Sequence, residues 1–123
     1  MKTLLKIIGF VLMLLFISCD HETQYDFFIT NKCKGKVNIF IKDRDDQELN
    51  IEIEAEAKKL VYTGEGLVKI FDSYIEKLFK EIIITKGSDT SKINYINKDL
   101  WNMQVSSKYH ADVYLTVTEE DFE

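Results

Sequence analysis

Leu49-Asn50-Ile51-Glu52-Ile53-Glu54-Ala55-Glu56 alternates apolar and polar residues over eight positions. A period of two is that of a half-buried β-strand: side chains on successive residues point to opposite faces. The expected core face is Leu49, Ile51, Ile53 and Ala55, and the expected wet face is a row of glutamates. Val37, Ile39 and Ile41 repeat the pattern just upstream, and Asp43-Arg44-Asp45-Asp46-Gln47 between the two runs reads as a turn. The hairpin register follows from matching apolar to apolar. Ile41 meets Leu49, Ile39 meets Ile51 and Val37 meets Ile53, while Lys42 faces Glu48 and Lys36 faces Glu54. Opposite charges across a ladder contribute roughly 0.2–1 kcal/mol each. A slip of one residue would set isoleucine against glutamate, so the register is strongly specified.

The same period runs outward in both directions. Tyr25, Phe27 and Ile29 alternate with Asp26, Phe28 and Thr30. Leu60-Val61-Tyr62 and Leu67 to Phe71 flank Gly64-Glu65-Gly66, a tight-turn signal. Lys80 to Lys86 and Ser91 to Ile96 flank Gly87-Ser88-Asp89-Thr90, which would bring Ile84 to Ile93 and Ile82 to Tyr95. Trp101, Met103 and Val105 share a face, as do Ala111, Val113, Leu115 and Val117. Only Asp72 to Phe79 departs from the period. There Ile75, Leu78 and Phe79 stand at i, i+3 and i+4 behind Asp72 or Ser73 as a cap, which predicts one short helical turn. About 7–9 short strands with turn-length connections predict an all-β, antiparallel β-sandwich, Ig-like or related, over residues 25–123. A small barrel is the alternative, because strand number does not separate the two.

The chain begins differently. Lys2 and Lys6 form a basic start, Ile7 to Ile17 is apolar apart from Gly9, and Ser18-Cys19 ends the run before Asp20, His21 and Glu22. A basic start, a short apolar stretch and a small residue at a cut site make a secretory signal helix over residues 1–18. Leu4 to Ile17 would reach about 21 Å as a helix, short of the roughly 30 Å of bilayer hydrocarbon, which argues against a permanent transmembrane span. Phe16-Ile17-Ser18-Cys19 resembles the lipobox of bacterial lipoproteins, departing from it at Phe16, where an aliphatic residue is usual. That resemblance implies lipidation, with palmitate-type acyl chains, at Cys19 and a short tether over residues 19–24. An ordinary signal without lipid is the alternative.

Without the signal, 105 residues remain, enough for one domain, and they carry 14 basic against 21 acidic side chains, a net charge of −7. Nucleic acid and anionic lipid both need a basic face, so neither is an expected partner. Membrane attachment must then come from the acyl chains, and two or more of them hold a protein stably. An acidic surface suits a cationic partner and equally serves solubility. With Cys19 consumed by lipid, Cys33 is left as a single thiol in an oxidising envelope. Its three neighbouring lysines, Lys32, Lys34 and Lys36, would favour thiolate. The expectation is a thiol tucked under the loop, with an intermolecular disulfide or redox site as the alternative.

Catalytic and metal patterns are sparse. Asp43-Arg44-Asp45-Asp46-Gln47-Glu48 has the start of a calcium loop but Gln47 at the third ligand and no glycine for the bend, so it reads as an acidic hairpin turn. His21 and His110 are the two histidines, and no metal-ligating set is expected. No G-x-S-x-G, H-E-x-x-H or glycine-rich phosphate loop is present, and His110 has no local support as a base for Ser106, Ser107 or Cys33. No catalytic residue, cofactor or enzymatic activity is expected. Trp101 and Tyr95 could platform a sugar, but alternation with Met103 and Val105 assigns Trp101 to the core. The candidate partner-binding residues are Phe28 and Phe40, which the alternation turns outward, and Glu52, Glu54 and Glu56. If the two strands were neighbours, Phe28 and Phe40 would form one patch.

The lipobox cysteine, Ile29-Thr30-Asn31, Lys98-Asp99-Leu100-Trp101 and the closing Val113-Tyr114-Leu115-Thr116-Val117-Thr118 with Asp121-Phe122 resemble small uncharacterised β-sandwich lipoproteins of Bacteroidota-type bacteria. The resemblance implies a sandwich held on the outer membrane and no assigned catalytic residues. Asp20 and Glu22 resemble the acidic stretch that accompanies export to the cell surface in such bacteria, whereas in enterobacteria an Asp after the cysteine would imply the periplasmic face of the inner membrane. The function expected on these grounds is a membrane-anchored, non-catalytic binding or assembly module with a protein partner in the envelope. The alternative is an inhibitor or immunity-type protein that neutralises a cationic enzyme.

Overall fold

In the computed structural model the period-two segments form eight strands among the described residues, 23–66 and 71–123. These are β1 (Thr23–Asn31), β2 (Val37–Asp43), β3 (Glu48–Ile53), β4 (Lys58–Gly66), β5 (Phe79–Lys86), β6 (Asp89–Thr90), β7 (Asn102–Ser107) and β8 (His110–Val117). Among the described residues one α-helix, α1 (Phe71–Leu78), leads directly into β5. The strands make two four-stranded sheets, β4-β1-β8-β7 and β3-β2-β5-β6, so the fold is an all-β sandwich. Among the described residues all pairings are antiparallel except one: β1 and β8, the first and last of these strands, run parallel in the middle of the first sheet.

The hairpin register is as expected, with Val37 opposite Ile53, Ile39 opposite Ile51, Ile41 opposite Leu49 and Lys42 opposite Glu48. Lys36 lies beyond the end of the ladder and bridges to Glu52 at 3.4 Å rather than to Glu54. The connecting loop is the expected acidic turn: the Asp43 carboxylate accepts from the backbone N–H groups of Asp45 and Gln47, each at 2.9 Å.

Between the sheets lies one core. Alternate residues of β1 (Tyr25, Phe27, Ile29), β2 (Val37, Ile39, Ile41) and β8 (Ala111, Val113, Leu115, Val117) are buried, with Ile53, Ile75, Phe79, Ile84 and Trp101. Phe27 is the hub of an aromatic cluster, with ring centroids 5.3 Å from Phe79, 5.6 Å from Trp101 and 6.0 Å from Tyr62, all edge-to-face. Such pairs contribute about 0.5–1.5 kcal/mol beyond their burial. Trp101 reaches that position because its indole N–H donates to the Tyr95 carbonyl at 2.7 Å.

Several expectations are corrected. β3 is an edge strand, so Ile51 is only half-buried, Leu49 is 39% exposed and Ala55 lies outside the core. Val105 is 64% exposed because its strand, β7, is also an edge. Gly64-Glu65-Gly66 continues β4, pairing with Tyr25, Gln24 and Thr23, instead of turning. The proposed strand through Leu67 lies outside the described residues up to Ile70, and Phe71 opens the helix ahead of both proposed caps. Gly87 takes the left-handed conformation (φ 61°) in a two-residue turn, and Asp89-Thr90 pairs back on β5. Ser91 to Ile96 is therefore irregular: Ile84 accepts from the Ser91 N–H, and neither Ile93 nor Tyr95 joins the ladder.

Buried polar groups tie the sheets at one end. The Asn31 side chain, at the end of β1 in the first sheet, donates to the carbonyls of Gly35 (2.9 Å), Ile53 (3.0 Å) and Glu54 (3.2 Å) and accepts from the Cys33 N–H (2.8 Å). The Tyr95 hydroxyl bonds Ser91 Oγ at 2.7 Å, and Ser91 Oγ donates to the Asp121 carbonyl at 2.9 Å, holding the C-terminal turn. Burial pushes the Tyr95 phenol up to about 12.

Candidate functional site

Alternation that fills the core also determines what the sandwich shows to solvent. On the outer face of the second sheet two cross-strand rows lie side by side. Asn50, Phe40 and Ile83 form one, and Glu52, Asn38 and Thr85 form the other. These six residues line an open concavity of about 600 Å³. Phe40 and Ile83 are half-buried there and give it an apolar floor, while the Asn38 and Asn50 amides and the Glu52 carboxylate are exposed around them. The lining thus combines apolar area with two amides and one carboxylate.

Phe28 belongs elsewhere, which corrects the expected joint patch. β1 and β2 lie in different sheets, so Phe28 and Phe40 face solvent on opposite sides of the sandwich. Phe28 is covered on its own side: it stacks on Tyr114 with centroids 5.4 Å apart, and the Lys58 ammonium sits 5.6 Å from one ring and 5.3 Å from the other. The acidic row is interrupted as well. Glu52 pairs with Lys36, and Glu56, at φ 62° in the turn between β3 and β4, lies 3.9 Å from Lys32. Glu54 is exposed beside them. Cys33 is fully buried, and burial, followed by the Glu119 carboxylate, pushes its thiol up, against the thiolate that its lysines would favour. Cys19 lies outside the described residues.

The outer face of the first sheet holds a group that the sequence reading missed. β1 carries Gln24-Tyr25-Asp26-Phe27-Phe28 and β8 carries His110-Ala111-Asp112-Val113-Tyr114, and the parallel register sets the five pairs side by side. Each segment reads polar, core, Asp, core, aromatic. His110 Nε2 lies 2.9 Å from Asp26 Oδ2 and 3.1 Å from Asp112 Oδ1. Ser106 Oγ donates to the His110 carbonyl at 3.2 Å, while the ring nitrogen Nε2 faces the two aspartates. The matching H-x-D and Q-x-D triplets were the available signal. Using it required pairing the first strand with the last.

Comparisons with family models, with curated proteins and with solved structures find no match to this chain.

Proposed function

We propose that this chain is a bacterial envelope lipoprotein, held through acyl chains on Cys19, whose sandwich acts as a non-catalytic binding or assembly module for a protein partner. The observation that carries the binding role is the concavity on the second sheet, where two of the expected partner-binding residues, Phe40 and Glu52, come together with Asn38, Asn50, Ile83 and Thr85. Anchoring rests on the basic start, the short apolar run and Ser18-Cys19. β1 begins at Thr23, so Asp20 to Glu22 lets the domain stand off at most about 11 Å from the anchor. The module would therefore work at the membrane surface, on the outer membrane or cell surface, with the periplasmic face of the inner membrane as the alternative.

An inhibitor that neutralises a cationic enzyme would use Glu52, Glu54 and Glu56. The lysines beside Glu52 and Glu56 reduce the charge available for that and favour the first reading. Crosslinking in intact membranes tests it. Phe40→Ser should abolish capture of a partner that Phe28→Ser still captures, and a charge-driven partner would instead be lost with Glu52, Glu54 and Glu56 changed to Gln. Capture unchanged in all three variants would show that neither face is the contact.

A further inference from the structure

We infer that Asp26, His110 and Asp112 form a binding site for a first-row divalent cation, with zinc or manganese as the metals the donor set suits. The parallel register of β1 and β8 places the two carboxylates directly across from each other, half-buried, with side chains 14% and 24% exposed. Like charges opposite each other on a ladder are destabilising, and more so where water is partly excluded. One imidazole nitrogen faces both of them, and a single N–H cannot serve two carboxylates fully. A cation at that point would satisfy both.

The geometry suits one. The three ligand atoms all lie within 4.8 Å of one another, and the two edges that meet at Nε2 measure 2.9 and 3.1 Å. Bonds of about 2.0–2.2 Å from a divalent metal to nitrogen and oxygen set ligand–ligand edges of roughly 2.8–3.1 Å in an octahedral site and about 3.3–3.6 Å in a tetrahedral one. The two edges at Nε2 therefore match octahedral spacing and need open by only a few tenths of an ångström for tetrahedral zinc. The remaining carboxylate oxygens are held from behind. Thr63 Oγ1 and Gln24 Nε2 donate to Asp26 Oδ1 at 3.0 and 3.1 Å, and the Tyr114 hydroxyl donates to Asp112 Oδ2 at 3.4 Å. Each carboxylate therefore keeps its other oxygen for the shared point, as outer-shell donors do around bound metals. One imidazole and two carboxylates select a transition metal over calcium or magnesium, whose ligands are oxygens. With the His110 side chain 35% exposed, the site is open to solvent, and three protein ligands leave a coordination position for water or a partner's ligand.

Calorimetric titration of the full chain in detergent with Zn²⁺ reads this directly. One zinc should bind per chain, and Asp112→Asn, which is nearly isosteric, and His110→Gln should each weaken binding at least tenfold. His21→Gln, which removes the other histidine, should leave affinity unchanged. Should a variant fail to fold, Mn²⁺ added to the wild type supplies a second reading, with paramagnetic broadening of the NMR signals of Asp26, Thr63, His110 and Asp112 and none at Phe40. Absence of saturable one-site binding, zinc affinity unaltered by Asp112→Asn, or broadening centred elsewhere would overturn the assignment.

Discussion

Asn31→Asp replaces one atom and should remove a large share of the domain's stability. Asn31 is fully buried at the end of β1, and its amide nitrogen serves the carbonyls of Gly35, Ile53 and Glu54. Ile53 ends β3 in the opposite sheet, so this one side chain links the two layers. Aspartate cannot donate when ionised, and its oxygen would face carbonyl oxygens at about the same distance. A buried acceptor left unsatisfied costs about 1–3 kcal/mol, and a buried unpaired charge costs more. A loss of about 3–5 kcal/mol is expected, against about 5–15 kcal/mol for a typical domain. Urea unfolding followed by the fluorescence of Trp101, the single tryptophan, measures it. The sign with pH is also determined. Burial among carbonyls raises the folded-state pKa of the new carboxyl, so the deficit should be largest at neutral pH and shrink as pH falls through that pKa. A loss under about 1 kcal/mol, or one indifferent to pH, would refute the linking role.

Two further outcomes follow from burial. Ile39 and Ile51 face each other in one register pair, but Ile39 is fully buried in a central strand while Ile51 is half-buried on an edge. Ile39→Ala should cost about 2–5 kcal/mol and Ile51→Ala under about 2 in the same urea assay, and equal losses would contradict the edge position of β3. In alkali, the Tyr95 phenol is raised from 10.0 to about 12 by burial, so the neutral form is favoured by folding. Its contribution is complete below pH 10 and is lost as pH rises towards 12, about 2–3 kcal/mol in all. Tyr95→Phe should flatten the loss of stability across that window, and an unchanged alkaline profile would count against it.

What was legible in the sequence was which side of its own strand each residue takes. Period two placed Tyr25, Phe27, Ile39, Ile53, Val113 and Leu115 inward, and matching apolar to apolar across the β2–β3 turn set a register that is local in sequence. Alternation carries no information about which sheet a strand joins. Phe28 and Phe40 were rightly turned outward, but onto opposite faces. Leu49 and Val105 follow the core period and stand exposed, because edge strands have nothing beyond them to complete the burial. The Asp26–His110–Asp112 group depends on pairing residues more than 80 positions apart in a parallel ladder. No turn length or local charge pattern predicts such a pairing. The Phe40 concavity combines three strands, of which the sequence joined only two.

Detergent phase separation of wild type and Cys19→Ala, expressed in a bacterial host, tests the proposed tether to a membrane through Cys19. Wild type should enter the detergent phase, and Cys19→Ala should stay in the aqueous phase with its sandwich intact. Identical distribution of both proteins to the aqueous phase would contradict it.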